Sequence, residues 1–244
     1  MKKEFIYFYK KNFLSEILCK KIISEIDRFN LFDDIVMSGR KRINKGSKNF
    51  KKFINKSLNS RLFFEKINNS KFYEKLEKKF NKKKNLCKWE KNIEYTQFSK
   101  TIYGAQKGKG ITGVKSNIKK NIIYLDMDFS VSEKGYFRGP HRDRDSRVIN
   151  FLIYLNDLSK QDGGILNFYD ILKKKFQYPR FPKKSDVKIK KNFFSKNGDA
   201  IFFYSTPGSY HAVTKFLGKK IKKRYFIYGS YSLNKKVPWV NTIV

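Results

Sequence analysis

The stretch from 139 to 156 reads GPHRDRDSRVINFLIYLN and contains both a candidate metal motif and a candidate buried strand. His141 and Asp143 stand two residues apart, and His211 follows seventy residues after His141 in the segment SYHAV. Two imidazoles and one carboxylate form the facial triad that holds Fe(II) and leaves coordination positions open. The sequence therefore predicts a metal centre built from His141, Asp143 and His211.

The scarcity of histidine strengthens this prediction. An H-x-D motif alone is weak evidence, because it also occurs by chance on protein surfaces, but the chain has only two histidines and both fall in the pattern. Side chains alternate in direction along a strand. We therefore expect His141 and Asp143 to share one face at the start of a strand, with Arg142 pointing away and His211 coming from another strand.

Strand-like segments extend on both sides of this motif. After about residue 89, short runs rich in Ile, Tyr, Phe and Val are separated by Gly, Pro, Asp and Asn, which is typical of strands and turns. The predicted strands are 120–127, 147–155, 164–169, 199–204, 209–214 and 223–232. Residues 171–192 form a long insertion with Lys and Pro, which is either a loop that covers the substrate or a tolerated surface loop.

The amino-terminal part has a helical pattern. Apolar residues recur at helical spacing from Phe13 to Phe29, with Ser15 as a candidate N-cap. Residues 30–55 are predicted to be a loop, and Leu58 to Phe80 a second helix with a solvated lysine face. We expect one domain over 1–244, with helical support and a substrate-side region at 1–118 and a β core at 119–234.

The composition is typical of a folded protein and gives no sign of secretion or of membrane insertion. The net charge of +35 comes mostly from Lys spread along the chain together with Asn, Ile, Phe and Tyr, a pattern that AT-rich coding explains. The alternative is weak attraction to acidic partners, which salt would screen. Cys19 and Cys87 show no disulfide or zinc spacing. No apolar run approaches the roughly 20 residues of a membrane span, and no signal-peptide pattern is present, so we expect a cytoplasmic protein.

A candidate anchor for a carboxylate lies thirteen residues after His211. Arg224 opens the strand-like segment RYFIYGSY. A planar guanidinium can bind a carboxylate through two parallel hydrogen bonds. Arg224 is therefore a candidate for holding the far carboxylate of a dicarboxylic cosubstrate. Lys222 has the same strand parity and is the alternative.

Several motifs occur together in a recognisable order. They are GPHRD (139–143), FLIYLN (151–156), GGIL (163–166), NGDAIFF (197–203), HAV (211–213) and the Arg224 strand. In order and spacing the chain resembles the Fe(II)- and 2-oxoglutarate-dependent oxygenases, particularly their prolyl 4-hydroxylase-like branch. The resemblance covers about 120–232 well and 31–118 poorly.

The resemblance implies a fold, cofactors and a reaction. The fold would be mainly β with some α+β character, a double-stranded β-helix or cupin-like jelly roll with supporting N-terminal helices. Iron would be held by His141, Asp143 and His211, and 2-oxoglutarate by the iron and Arg224, with the Tyr124 hydroxyl assisting. With O2, and ascorbate as a candidate reductant, such an enzyme would hydroxylate a C–H bond of a peptidyl substrate, including a prolyl one, or of a small molecule. Succinate and CO2 would be released.

Two alternatives remain at this point. A cupin-like module would bind a metal or ligand without oxidation, although cupins usually supply more histidines. A nucleic-acid oxidative demethylase would fit the positive charge, but those enzymes carry a second arginine shortly after the first on the last strand. The positions after Arg224 are aromatic, aliphatic, small or polar until Lys235, so specific binding of nucleic acid is not expected.

Overall fold

A computed structural model describes residues 5–36, 39–84, 97–101, 121–172 and 179–234. The helices are α1 (Glu16–Phe29), α2 (Lys48–Lys56), α3 (Leu58–Ile67) and α4 (Ser70–Lys84). The strands are β1 (Tyr7–Lys10), β2 (Asp34–Val36), β3 (Arg40–Asn44), β4 (Gln97–Ser99), β5 (Ile122–Ser132), β6 (Arg138–His141), β7 (Arg147–Tyr154), β8 (Leu166–Ile171), β9 (Val187–Phe193), β10 (Ala200–Tyr204), β11 (His211–Val213) and β12 (Arg224–Leu233).

Two sheets make up the β core. The larger has the order β1-β10-β7-β12-β5-β3-β2, with β4 pairing in parallel with β5, and the smaller has the order β6-β11-β8-β9. All other ladders are antiparallel. This architecture, with its few helices, confirms the predicted mainly β, jelly-roll class of fold.

The central strands of the large sheet are apolar on both faces because both faces are covered. On β10, Ile201 and Phe203 join an apolar cluster with Phe168 of β8 and Phe193 of β9. This cluster connects the two sheets. Phe202, which points the other way, belongs to the core that the helices cover.

Helices α1 to α4 cover the outer face of the large sheet. Ser15 caps α1, since its side-chain oxygen accepts a hydrogen bond from the Leu18 amide at 3.2 Å, as predicted. The inward stripe of α1 is Cys19, Ile22 and Ile26, all fully buried. Burial of one such isoleucine contributes roughly 1.5–3 kcal/mol. The helices thereby leave the opposite face of the sheet for the site.

The prediction of a loop over 30–55 was wrong. The segment contains β2, β3 and α2, because β3 finds a partner in β5 and the apolar residues of α2 fall at helical spacing. Ser47 begins α2 as its N-cap, with its hydroxyl oxygen 2.9 Å from the Phe50 amide. Phe50, Phe53 and Ile54 are the buried residues of this helix. Basic residues between them hid the pattern.

Other boundaries also differ from the prediction. The helix expected from Leu58 to Phe80 is interrupted at 68–69 and forms α3 and α4. All six predicted strands are present, although β5 continues five residues beyond 127. Within the 171–192 insertion, β9 pairs with β8, and 173–178 lie outside the described residues. The role of this insertion as a lid stays a prediction, and Cys87 lies outside the described residues.

Candidate metal centre

The two histidines and Asp143 converge in the structure. His141 ends β6 and His211 begins β11, and the two stand opposite each other in antiparallel register. One ligand atom from each of the three buried residues lies within 4.8 Å of the others. Asp143 Oδ2 lies 3.4 Å from His211 Nε2, and Asp143 Oδ1 lies 4.0 Å from His141 Nε2. One ion can therefore contact all three side chains.

Asp143 reaches this point from a turn rather than from a strand. Because β6 ends at His141, the expectation that both ligands lie at the beginning of one strand was wrong. The backbone amide of Arg142 donates to the carbonyl of Arg180 at 2.8 Å, which fixes the chain just after β6. The Arg142 side chain is not part of the cavity lining and pairs with Asp145 at 3.6 Å.

Both imidazoles present Nε2 to the centre. His141 Nδ1 lies 2.9 Å from the carbonyl oxygen of Gly139, and His211 Nδ1 lies 3.1 Å from that of Ser209. Because a carbonyl only accepts hydrogen bonds, we assign the proton to Nδ1 and the lone pair to Nε2. Burial lowers the pKa of His141 to about 3 and also lowers the pKa of His211. Both rings are thus neutral, as metal binding requires.

The two oxygens of Asp143 have different surroundings. Oδ1 accepts hydrogen bonds from the Tyr228 hydroxyl at 2.7 Å and from Arg147 Nη1 at 3.0 Å. Oδ2 is buried and, in the part of the chain that the structure describes, has no hydrogen-bond partner. Burial alone would raise the pKa of Asp143, but the charge of Arg147, helped by the hydrogen bond from Tyr228, outweighs it and holds the pKa well below its usual range. An ionised carboxylate therefore presents Oδ2 to a cation.

Arg224 is the first residue of β12 and is fully buried. Among the described residues, its Nε and Nη2 atoms have no hydrogen-bond partner. The guanidinium carbon lies 4.2 Å from the ring centroid of Phe226 and 5.8 Å from that of Tyr154. Burial lowers the pKa of Arg224, and the neighbouring Tyr154 hydroxyl partly offsets this effect. Since unused buried donors are costly, this end of the cavity fits a bound carboxylate.

The other two residues considered for binding the cosubstrate are Lys222 and Tyr124. Lys222 precedes β12 and is exposed, so the geometry favours Arg224. Tyr124 is buried on β5 but does not line the cavity, which corrects the expected assistance to Arg224. Arg224 pairs with Ser132 across the ladder, whereas Tyr124 pairs with Ser232. Eight residues of β5, roughly 26 Å of strand, therefore separate the two positions.

The triad and Arg224 line one cavity of about 280 Å³. The apolar part of its wall consists of Leu152, Leu166, Phe203, Val213 and Phe226. These residues come from both sheets, so the cavity lies on the side of the large sheet opposite the helices. The rest of the lining is largely charged or polar, with arginines, aspartates and the two histidines. A concave pocket in which polar groups converge beside an apolar wall is typical of a ligand site.

The charged side chains around the triad were not predicted from the sequence. Arg147 contacts Asp143 and also lies 3.7 Å from Asp126, while Arg40 pairs with Asp128 at 2.6 Å. A signal was present, because Asp126 and Asp128 alternate with apolar residues along β5 and so share one face. The partners of these carboxylates come from other strands, and a single sequence does not define which strands lie side by side.

A family model matches the part of the chain that carries this geometry. Residues 127–231 match the model of the 2OG-Fe(II) oxygenase superfamily. Over residues 127–231 the chain is similar to a 2OG-Fe(II) oxygenase domain. The matched region contains His141, Asp143, His211 and Arg224. The predicted enzyme class, a 2-oxoglutarate-dependent dioxygenase, and its cofactors Fe(II) and 2-oxoglutarate are confirmed.

Solved structures similar to this oxygenase chain include three enzymes. A Pseudomonas putida prolyl-4-hydroxylase is 13% identical, with 93% of this chain and 92% of that chain covered and a TM-score of 0.48. A viral collagen prolyl hydroxylase from Paramecium Bursaria Chlorella virus-1, in a 2OG complex, is 14% identical, with 96% and 98% covered and a TM-score of 0.49. HygX from Streptomyces hygroscopicus, with nickel and 2-oxoglutarate bound, is 11% identical, with 93% and 83% covered and a TM-score of 0.48.

A search of curated proteins gave no match to the oxygenase chain. Over the ranges that the structure describes, none of the helices is long and apolar enough to cross a membrane.

Proposed function

We propose that His141, Asp143 and His211 hold Fe(II) in this oxygenase and that Arg224 binds the far carboxylate of 2-oxoglutarate. The enzyme then hydroxylates a C–H bond of a prime substrate and releases succinate and CO2. One juxtaposition carries the proposal: the cavity that contains two neutral imidazoles and an unpartnered Asp143 Oδ2 also contains a buried guanidinium with unused donors. The first set suits a divalent metal, and the guanidinium suits a dicarboxylate.

The residues around the metal have separate tasks. When bound, the iron supplies a redox-active centre with open positions for the keto acid and dioxygen. Tyr228 and Arg147 hold Asp143 Oδ1, which leaves Oδ2 for the metal. Phe226 and Leu152, from the apolar wall, keep water away from the reacting groups.

The prime substrate is a peptidyl group, including a prolyl residue, or a small molecule. The amino-terminal region contributes to the substrate side, since Arg40, Arg42 and Asn44 of β3 line the cavity. We also propose a single domain over 1–244, supported by the pairing of β1 and β3 with the core sheet. A cytoplasmic location is supported by Cys19, a buried free thiol.

Slow turnover without a prime substrate tests the proposal. Purified protein supplied with Fe(II), 2-oxoglutarate and O2 is expected to form succinate, measured by mass spectrometry. Asp143→Ala removes the only carboxylate of the triad and should lower iron binding and succinate formation to background. Asp145→Ala is the matched control, because Asp145 lies two residues away and outside the cavity lining.

A result in which the protein binds iron but forms no succinate above background would favour the cupin-like binding module. Equal losses in Asp143→Ala and Asp145→Ala would contradict the assignment of Asp143 as a ligand.

A further inference from the structure

Arginine and lysine are distributed differently in this protein. The chain has ten arginines and 46 lysines, and seven of the ten arginines line the cavity. Over the ranges that the structure describes, no lysine lines it. Coding bias can explain abundant surface lysine, but it does not explain why the guanidiniums gather in one place. The cavity therefore has a specific requirement for arginine.

Three of these arginines already have a task. Arg40 donates to Asp128 at 2.6 Å and to the Ser130 hydroxyl at 2.9 Å. Arg147 holds Asp143, and Arg224 is assigned to 2-oxoglutarate. The four remaining cavity arginines are Arg42, Arg138, Arg144 and Arg180. Arg42 also lies 3.9 Å from Asp128, and Arg180 Nε donates to the carbonyl oxygen of Arg142 at 3.3 Å.

The four remaining arginines come from separate parts of the chain. Arg42 lies on β3, Arg138 begins β6, and Arg144 follows the metal motif in the turn before β7. The Arg138 and Arg180 guanidiniums lie 5.7 and 5.3 Å from the ring centroid of Phe181, which is 59% exposed. The fold thus gathers positive charge and one exposed ring at the cavity.

The like charges oppose one another. Seven guanidiniums line the cavity, against the three carboxylates of Asp126, Asp128 and Asp143. Fe(II) and the 2-oxoglutarate dianion carry equal and opposite charges, so their binding leaves the positive excess in place. An additional anion would relieve it.

We propose that the prime substrate is a small molecule with a phosphate or carboxylate group, and that Arg42, Arg138, Arg144 and Arg180 bind this oxyanion. The inference rests on the proposed function and deepens it, since it selects the small-molecule class of substrate. Guanidinium forks match the oxygen pairs of phosphate and carboxylate. A cavity of about 280 Å³ is at the small end of ligand pockets, which favours a compact ligand over a polymer.

Anion binding close to the metal tests this inference without turnover. The protein is loaded with Mn(II) and saturating 2-oxoglutarate without O2, and it is then titrated with inorganic phosphate or with 13C-carboxyl-labelled acetate. Paramagnetic broadening of the 31P or 13C resonance reports only anions held near the metal. Anions attracted elsewhere on this highly basic protein are therefore not counted.

The double variant Arg144→Gln/Arg180→Gln should raise the dissociation constant of the bound anion at least tenfold. The matched control, Arg28→Gln/Arg61→Gln, removes two arginines outside the cavity and should leave the constant unchanged. Broadening of 31P alone would identify a phosphate-bearing substrate, and broadening of 13C a carboxylate-bearing one.

Three results would overturn the inference: no broadening for either anion, equal affinity in both double variants, or a single-stranded oligonucleotide that displaces phosphate at far lower concentration. Calorimetric titration of Mn(II) and then of 2-oxoglutarate separates the two proposals. If either fails to bind, the proposed function fails. If both bind and the anion does not, only this inference fails.

Discussion

Arg224 offers a direct test at the residue scale, because its buried Nε and Nη2 atoms have no hydrogen-bond partner within the described ranges. Arg224→Gln should leave Fe(II) affinity unchanged and weaken 2-oxoglutarate binding by roughly 100-fold, the cost of removing one partner of a buried charge pair. Calorimetric titration of the metal-loaded protein with 2-oxoglutarate measures this change.

Arg224→Lys keeps the charge without the planar fork, so its affinity should fall between those of the wild type and Arg224→Gln. Lys222→Gln is the control, and it should bind 2-oxoglutarate normally because Lys222 is exposed. A larger loss in Lys222→Gln than in Arg224→Gln would reverse the assignment.

Tyr228 lines the cavity and contacts Asp143. Its hydroxyl donates to Oδ1 at 2.7 Å and helps to keep Oδ2 directed at the metal. Groups that orient a metal ligand typically change metal affinity by 10–100-fold. Tyr228→Phe should therefore weaken Fe(II) or Co(II) binding roughly tenfold, as measured by competition with a chelator.

The matched control for Tyr228→Phe lies on the same strand. Tyr225 donates its hydroxyl to Asp27, away from the metal. Tyr225→Phe should leave metal affinity unchanged. Equal metal affinity in the two variants would show that Tyr228 does not position Asp143.

At the residue scale, the sequence predicted which residues form the metal site, but not the residues that hydrogen-bond to them. His141, Asp143 and His211 were predictable because histidine is so rare in this chain. Tyr124 was misplaced because strand parity fixes the face of a residue but not its distance along the strand from Arg224. Arg147 and Tyr228 depend on contacts across strands, which a single sequence does not define.

At the scale of elements, Asp162 ties the turn before β8 to the segment before β12. Its Oδ1 accepts from the amides of Lys220 and Ile221 at 2.6 and 3.0 Å, and its Oδ2 accepts from the amide of Ser159 at 3.0 Å. Asp162→Asn replaces one acceptor oxygen with a donor. The free energy of unfolding should therefore fall by about 1–3 kcal/mol, as measured by chemical denaturation at pH 7.

This stabilisation should depend on pH in a defined direction. Burial opposes ionisation, but the hydrogen bonds from Ile221, Ser159 and Lys220 lower the pKa of Asp162 to about 2. The unfolded carboxyl has a pKa of about 3.9. The advantage of wild type over Asp162→Asn should be complete above about pH 5 and shrink as the pH falls through the unfolded and then the folded pKa. A difference in stability that grows below pH 4 would contradict this account.

Elements with clear apolar periodicity were predictable, and those defined by a partner were not. The helix from Phe13 to Phe29 and the central strands have patterns that depend only on their own residues. β3, with the sequence RKRIN, has a single apolar residue and forms because β5 supplies a ladder and carboxylates for its arginines. β9, an exposed strand rich in Lys, likewise depends on pairing with β8.

At the scale of the whole molecule, the described amino-terminal segments are part of the core. β1 and β3 extend the large sheet, and the buried faces of α1, α2 and α3 pack in one cluster with β5 and β7. The same sheet presents its other face to the cavity. The site therefore depends on the amino-terminal region, although the family model matches only 127–231.

The composition of the chain gives its total charge but not the clustering of arginine at the cavity. The basic residues behind the net charge of +35 are of two kinds: lysines, none of which is in the described cavity lining, and arginines, seven of ten of which line the cavity. Coding bias can explain the net charge, but the gathering of arginines at one cavity becomes visible only in the fold. Charge is therefore informative here through its position rather than its sum.

The most direct test of the central claim is anomalous X-ray scattering at the iron edge. It requires crystals of the protein prepared with Fe(II) and 2-oxoglutarate in the absence of O2. The account predicts a single iron atom coordinated by His141 Nε2, His211 Nε2 and Asp143 Oδ2, with the far carboxylate of 2-oxoglutarate on Arg224. Iron bound elsewhere, or coordinated without any one of these three side chains, would contradict it.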